Sequence, residues 1–222
     1  MHSGYPNGVV SPARLARSLL ERAGQTYAQQ AGITLRDKPA PLYQLLVLST
    51  LLSTRIKADI AVAAARELFA AGFTTPQRMH AASWQQRVNA LARAHYKRYD
   101  ESTSTALGNG AALLLENYRG DLRRLRAEAD GDRERVRDLL KQFPRIGDSG
   151  ADIFCREAQA VWPELRPYFD AKALEGARRV GLPDSEKRLA RLVEPDEYAN
   201  LAAALVRVAL NAKLADTVSA AA

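Results

Sequence analysis

A chain of 222 residues with 47% hydrophobic content can bury a real core, either as one large domain or as two small ones sharing an interface. Its single cysteine, Cys155, excludes a disulfide scaffold and a four-cysteine iron-sulfur or zinc site, and it suggests a reducing compartment. Against 25 Asp and Glu stand 32 Lys and Arg, a net charge of +7; the sign favours a polyanionic partner, though an arginine-rich, GC-rich type of composition contributes to it.

The opening residues MHSGYPNGVVSPARL have no charged start followed by an apolar stretch, and no apolar run reaches about 18 residues, so a cytoplasmic protein with no membrane partner is expected. Apolar residues then recur at helical spacing. SPARLARSLLERAGQTYAQQAG reads as one helix, with Ser11 as N-cap, Pro12 in the first turn, Leu15, Leu19 and Leu20 on one face, and an end near Gly32. From Leu42 to Leu52 the chain is apolar almost all round, which predicts a central buried helix; the polar break STRIKAD separates it from a helix ending before Gly72. Ser83 and Gln86 form a capping-box pattern.

A helical face from Thr103 to Tyr118 follows, weakened by Gly108 and Gly110, and another helix starts near Asp132. DAKALEGARRVGLP, SEKRLARLV and PDEYANLAAALVRVALNAKLADTV predict three more, the first closed by Gly181 and Pro183. With no repeat and no convincing strand, the expected fold class is all-α, about ten short helices.

The run RRLRAEADGDRERVRDLLK has acidic residues interspersed among its arginines, which favours a solvated surface around a turn at Gly131 over a phosphate-facing one. His2, His80 and His95 lack ligand spacing, and no metal site is expected from them. No phosphate-cradling glycine pattern of the nucleotide-binding kinds occurs.

The stretch LLKQFPRIGDSGADIF, Leu139 to Phe154, breaks a helix and restarts it at once. Pro144 stops the first helix, a turn runs through Arg145 and Ile146, and Gly147 opens the next. Backbone N–H groups at that helix start are able to donate to a phosphate oxygen without reading a base. A corner that merely turns the chain accounts for the same residues equally well.

The order of four features carries a resemblance: the near-continuous apolar helix ending in LVLSTLLSTRIKAD, the hairpin Phe143-Pro144-Arg145-Ile146-Gly147, Ala151 and Ile153 on the helix after it, and the pair Phe169 and Asp170. In that order the chain resembles the helix-hairpin-helix (HhH-GPD) base-excision DNA glycosylases, the superfamily of endonuclease III and of the adenine glycosylase that acts on mispairs. The similarity spans roughly Leu42 to Gly181. It implies a two-lobed all-α fold, with a helical-barrel lobe at 39–160, a second lobe formed by 1–38 and 161–222, and a site in the cleft between them. The implied activity is removal of a damaged or mispaired base from double-stranded DNA by a monomer that needs no cofactor.

The resemblance also implies roles for residues. Asp170 takes the place of the catalytic aspartate, and it is equally a natural helix N-cap. Ser149 occupies the position that holds the Schiff-base lysine in strand-cutting members; serine forms no imine, and the adenine-glycosylase branch, which also has serine, uses water. Arg55 stands where family members fill the gap left by an extruded nucleotide; a phosphate contact or a surface arginine is the alternative. Arg145, Ile146, Gly147 and Gly150 take the hairpin's DNA-binding positions, and Tyr43, His95 and Tyr96 are either pocket residues or packing ones.

Departures from the family pattern are equally definite. Arg145 sits at a family glycine position, where a left-handed backbone costs a non-glycine residue about 1–2 kcal/mol. The spacing from Gly147 to Asp170 is longer than usual, the extra length falling in VWPELRPYF, and the C-terminal cysteine cluster of many members is missing. A relative that binds distorted or abasic DNA without chemistry, or a helical protein-interaction module unrelated to DNA, are the competing expectations. Two residues along a helix from Asp170, Lys172 points about 200° away from it and is no substitute amine.

Overall fold

The computed structural model describes residues 11–221, so the expectations for the opening residues, His2 included, lie outside the described residues. The described chain is helical with no strand among the described residues. Two compact units are formed: Tyr27–Leu165, and the described part of Met1–Thr26 with Arg166–Ala222.

The first predicted helix is in fact two, α1 (Pro12–Ala23) and α2 (Tyr27–Gln30). Ser11 caps α1 as expected, its hydroxyl accepting from Arg14 N with Pro12 in the first turn. The break after Ala23 coincides with the passage from one unit to the other, and distant side chains hold both ends of it. Arg207 donates to the Ala23 carbonyl at 2.7 Å and Asn200 to that of Gly24 at 2.8 Å, which satisfies acceptors that a helix end leaves open. On the far side, the buried Glu157 carboxylate accepts from the amides of Tyr27 and Ala28, each at 3.0 Å.

Within Tyr27–Leu165 the core is α3 (Pro39–Leu52), whose residues Leu45 to Leu51 are all buried. Such a helix, apolar on every side, needs neighbours all round. They are α4 (Ala58–Ala70), α7 (Asp100–Tyr118), α8 (Leu122–Glu128) and α10 (Asp148–Ala158). Two further helices, α5 (Pro76–Ala81) and α6 (Trp84–Arg93), pack on α7, and α9 (Arg133–Leu140) packs on α8 and α10.

The capping box at Ser83 and Gln86 is present. Through α7 the helix runs uninterrupted past Gly108, because the missing side chain there makes room for a buried arginine: a Cβ would lie 2.7 Å from the Arg87 guanidinium. Arg87 donates to the carbonyls of Met79, Ala82 and Ser104, tying α5, α6 and α7 together. In the basic run the acidic neighbours pair with the arginines, Arg123 with Asp121, Arg135 with Glu128, and Arg126 with both Asp37 and Glu164. The extra length before Asp170 packs into this unit as far as Leu165: Trp162 is buried, and its indole N–H donates to Asp37 at 3.0 Å.

The second unit combines α1 with α11 (Ala171–Arg179), α12 (Glu186–Leu189), α13 (Tyr198–Leu210) and α14 (Ala212–Ala221). Gly181, at φ 74°, follows α11 as the sequence predicts. The last predicted helix is again two. Asn211 leaves the helical region (φ −139°, ψ 101°), and its side-chain oxygen accepts from Leu214 N at the start of α14; asparagine supports such a break because it caps the restarted helix. α13 packs on α1 and α11, so one apolar helix is the centre of this unit too.

Candidate functional site

The interrupted helix is a helix-hairpin-helix. α9 starts from Asp132, whose carboxylate accepts from Glu134 N and Arg135 N. The chain then turns through residues 141–147, pinned by two buried side chains, Phe143 and Ile146. Phe143 stacks on Tyr118 at a centroid distance of 6.5 Å, and Ile146 N donates to the Phe143 carbonyl at 3.0 Å. The Ile146 amide is therefore already used. Arg145 adopts φ 66°, the left-handed conformation expected of that position in the family. Its guanidinium donates to Ser102 Oγ at 2.6 Å and lies 5.5 Å from the centre of the Tyr99 ring.

α10 begins after Gly147, and its first intrahelical bond runs from Ala151 N to the Gly147 carbonyl. The amides from Gly147 to Gly150 precede that bond, as the first four N–H groups of any helix must. Gly147, Asp148 and Ser149 are exposed. Gly147 has φ −97° and ψ −164°, which any residue adopts, and nothing lies within 4 Å of a Cβ built on it. Nothing among the described residues demands glycine there.

Charge around this helix start is balanced. Asp148 lies 3.2 Å from the Lys141 ammonium and 3.9 Å from Arg137. Hydrogen bonding to Asp138 and Asp148 pushes the Lys141 amine up, and the same ammonium pulls the Asp138 carboxyl down. The Lys141 ammonium thus lies beside the exposed amides, while Asp148 itself suits the positive end of the helix dipole.

Gly150 is buried, and here close packing explains the glycine: a Cβ would meet Ser53 Oγ at 2.4 Å. This contact sets the first turn of α10 against the end of α3, two residues before Arg55. Arg55 is exposed, with no hydrogen bond or ion pair among the described residues. Beside it, Thr54 Oγ1 donates to the Leu51 carbonyl and lies 2.8 Å from the hydroxyl of buried Tyr96. Tyr43 is buried on α3, its hydroxyl without a partner among the described residues, and burial raises its pKa. His95 is exposed, at φ 57°.

Asp170 belongs to the other unit. It is the N-cap of α11, accepting from Ala173 N at 2.9 Å, and is half-buried. Phe169 before it is buried against Tyr198, with its amide donating to Glu186. Lys172 is held by Glu175 at 2.6 Å. The sequence reading missed the partners of the hairpin arginine, Tyr99 and Ser102, for no local pattern links residues 43 positions apart.

No family model matches this chain, and no curated protein does. Among solved structures, a non-covalent endonuclease III–DNA complex matches over 89% of this chain and 85% of its own, with a TM-score of 0.50 at 17% identity. The chain has the fold of endonuclease III, the two-lobed all-α helix-hairpin-helix fold. A trapped endonuclease III–DNA covalent intermediate, an estranged-adenine complex, covers the same shares, with a TM-score of 0.49 at 16% identity. The iron-sulfur cluster of many proteins with this fold needs four thiolates, whereas this chain offers only Cys155, buried in α10 with its thiol pushed up by burial. Its residues do not fit that cluster. No described helix is long and apolar enough to cross a membrane.

Proposed function

We propose that this protein binds double-stranded DNA at a lesion or mispair and removes the base by water attack, without a strand-cleaving lyase step. The observation that carries the reading is an exposed hairpin helix start, Gly147 to Ser149, with serine where an imine-forming lysine would stand, in a chain with the fold of endonuclease III. A solved structure that shares that fold is a DNA complex.

In this reading the amides of Gly147 to Ser149 donate to a phosphate, and the exposed Arg55 enters the gap left by the extruded nucleotide. The bond between base and sugar C1′ breaks with its electron pair leaving on the base. Asp170 stabilises the oxocarbenium-like sugar. A water oxygen then bonds to C1′ and gives up a proton, the Asp170 carboxylate being the acceptor, to leave an abasic site on an unbroken strand.

The test is incubation with duplexes carrying oxidised, deaminated, alkylated or mispaired bases. The expected product of an active substrate is an abasic site, with strand breakage only after alkali. A covalent adduct trapped by borohydride overturns the water mechanism. Arg145 favours a second reading, a relative that binds abasic DNA without chemistry: at the family's glycine position it carries a bulky side chain engaged with Ser102. Tight binding to an abasic-analogue duplex with no base release from any substrate selects that reading.

The open space at Gly147 gives a sharper check on the interface. Gly147→Val is expected to lower stability by no more than about 1 kcal/mol, the difference between glycine and valine as the N-cap of α10, since nothing is displaced. Affinity for abasic-analogue duplex is expected to fall at least about tenfold, the loss of a hydrogen bond to a charged group. Unchanged affinity, measured by fluorescence anisotropy, excludes phosphate approach at this residue.

A further inference from the structure

The end of α3 and the hairpin turn are both tied to one segment of chain. At its start, the hydroxyl of Tyr96, a fully buried side chain, lies 2.8 Å from Thr54 Oγ1, 3.5 Å from Thr103 Oγ1 and 3.5 Å from the Leu51 carbonyl. It holds the end of α3 immediately before Arg55. At the end of the segment, Ser102 Oγ accepts from Arg145 at 2.6 Å and donates to the Tyr99 carbonyl at 3.2 Å, while the Tyr99 ring lies beside the same guanidinium. These contacts hold the hairpin in its left-handed turn.

We propose that the segment Tyr96–Ser102 is a brace that fixes the Arg55 loop and the hairpin relative to one another, and that Arg145 is a positioning residue in it, not a phosphate ligand. Glycine at the turn adopts the left-handed conformation freely and holds it loosely. Arginine adopts it under strain, and the strain is offset by two contacts that anchor the side chain. Its Nη1 donates to Ser102, so the turn gains a fixed shape and one of the guanidinium's donors is engaged within the protein. Tyr96 does the same for Arg55: Thr54 is tied on both sides, so the exposed arginine starts from a rigid base. The direct contact of Gly150 with Ser53 completes the link from below. For DNA this inference rests on the proposed function, since an inserted side chain and a phosphate contact must meet the same duplex at once.

The brace is measurable in the free protein. Hydrogen exchange reads the amides of Ile146, bonded to Phe143, and of Ile56, bonded to Thr54. Ser102→Ala is expected to speed exchange at Ile146 about fivefold and Tyr96→Phe at Ile56 by a similar factor, the scale of one hydrogen bond. Ser102→Thr, which keeps the hydroxyl, restores the parent rate. Unchanged exchange in folded Ser102→Ala and Tyr96→Phe overturns the brace, whatever the protein does with DNA.

Salt dependence of affinity for an abasic-analogue duplex then identifies the part played by Arg145. Ser102→Ala and Arg145→Gly are each expected to weaken binding about fivefold with the slope of log affinity against log salt unchanged. A slope reduced by about one unit in Arg145→Gly, or tighter binding in Ser102→Ala, makes Arg145 a phosphate ligand and overturns its positioning role. If the parent protein binds no DNA, the proposed function and the positioning role of Arg145 fail together, and the exchange rates still decide the brace.

Discussion

Asp170→Asn is expected to lower single-turnover base release at least about 100-fold, the scale on which a preorganised electrostatic contact acts. Asparagine keeps the size of the side chain and the oxygen that accepts from Ala173 N. Asn caps helices as well as Asp does, so α11 stays in place and circular dichroism is expected to be unchanged. What is lost is the negative charge beside the developing cation. Removing an anion near a polyanion tightens association if anything, so abasic-analogue affinity is expected to hold or rise. A folded variant with parental turnover refutes the catalytic assignment. Absence of turnover in both proteins, with tight binding in both, selects the non-enzymatic reading.

Gly176→Ala is expected to be the most damaging single-methyl change in the unit that carries Asp170. A Cβ on Gly176 would lie 1.9 Å from the Leu205 carbonyl oxygen and 2.7 Å from its carbon. Both are backbone atoms of α13, so no side chain can rotate away and the two helices must separate. Overpacking of this kind costs about 3 kcal/mol or more, which lowers the melting temperature of a chain this long by roughly 6–12 °C. Differential scanning calorimetry measures it, with Gly147→Val as the control. A shift below about 2 °C would mean that α11 and α13 do not approach so closely.

The elements legible in the sequence are those whose signals are local. Ser11 with Pro12, the Ser83 and Gln86 box, Asp132 before α9 and Gly181 after α11 each act within four residues of their own position, and each is found in that role. The near-continuous apolar run of α3 required burial on every side, and it is central. What escaped the sequence is long-range. The end of α1 depends on Asn200 and Arg207, more than 170 positions away, and the start of α2 on Glu157. No periodicity reports such partners, so the two helices read as one.

The site divides on the same line. The hairpin was visible because Pro144 and Gly147 sit three residues apart, and the left-handed turn at Arg145 followed from the motif. The contacts of that arginine with Tyr99 and Ser102 have no sequence signature, and neither does the pairing of Gly150 with Ser53. One glycine of the motif is explained by internal packing and the other by nothing among the described residues. That distinction is invisible in a string of letters, and it directs the interface test to Gly147.

The course of the chain bears on how the molecule is made. One unit is continuous, Tyr27–Leu165, whereas the other is assembled from segments on either side of it. On the ribosome the continuous unit emerges whole and is free to fold once the chain to Leu165 is released, domains generally folding as they appear. α1, synthesised before that unit, must wait. Its partners are Glu197 for Arg17, Asn200 for the Gly24 carbonyl and Arg207 for that of Ala23, all 176 to 184 residues further on. Closing so long a loop in an unfolded chain is slow. Once the intervening segment has folded, its ends are held by structure instead of by random coil, and the distance α1 must search shrinks accordingly. α1 is thus held back from its own unit until α13 leaves the tunnel.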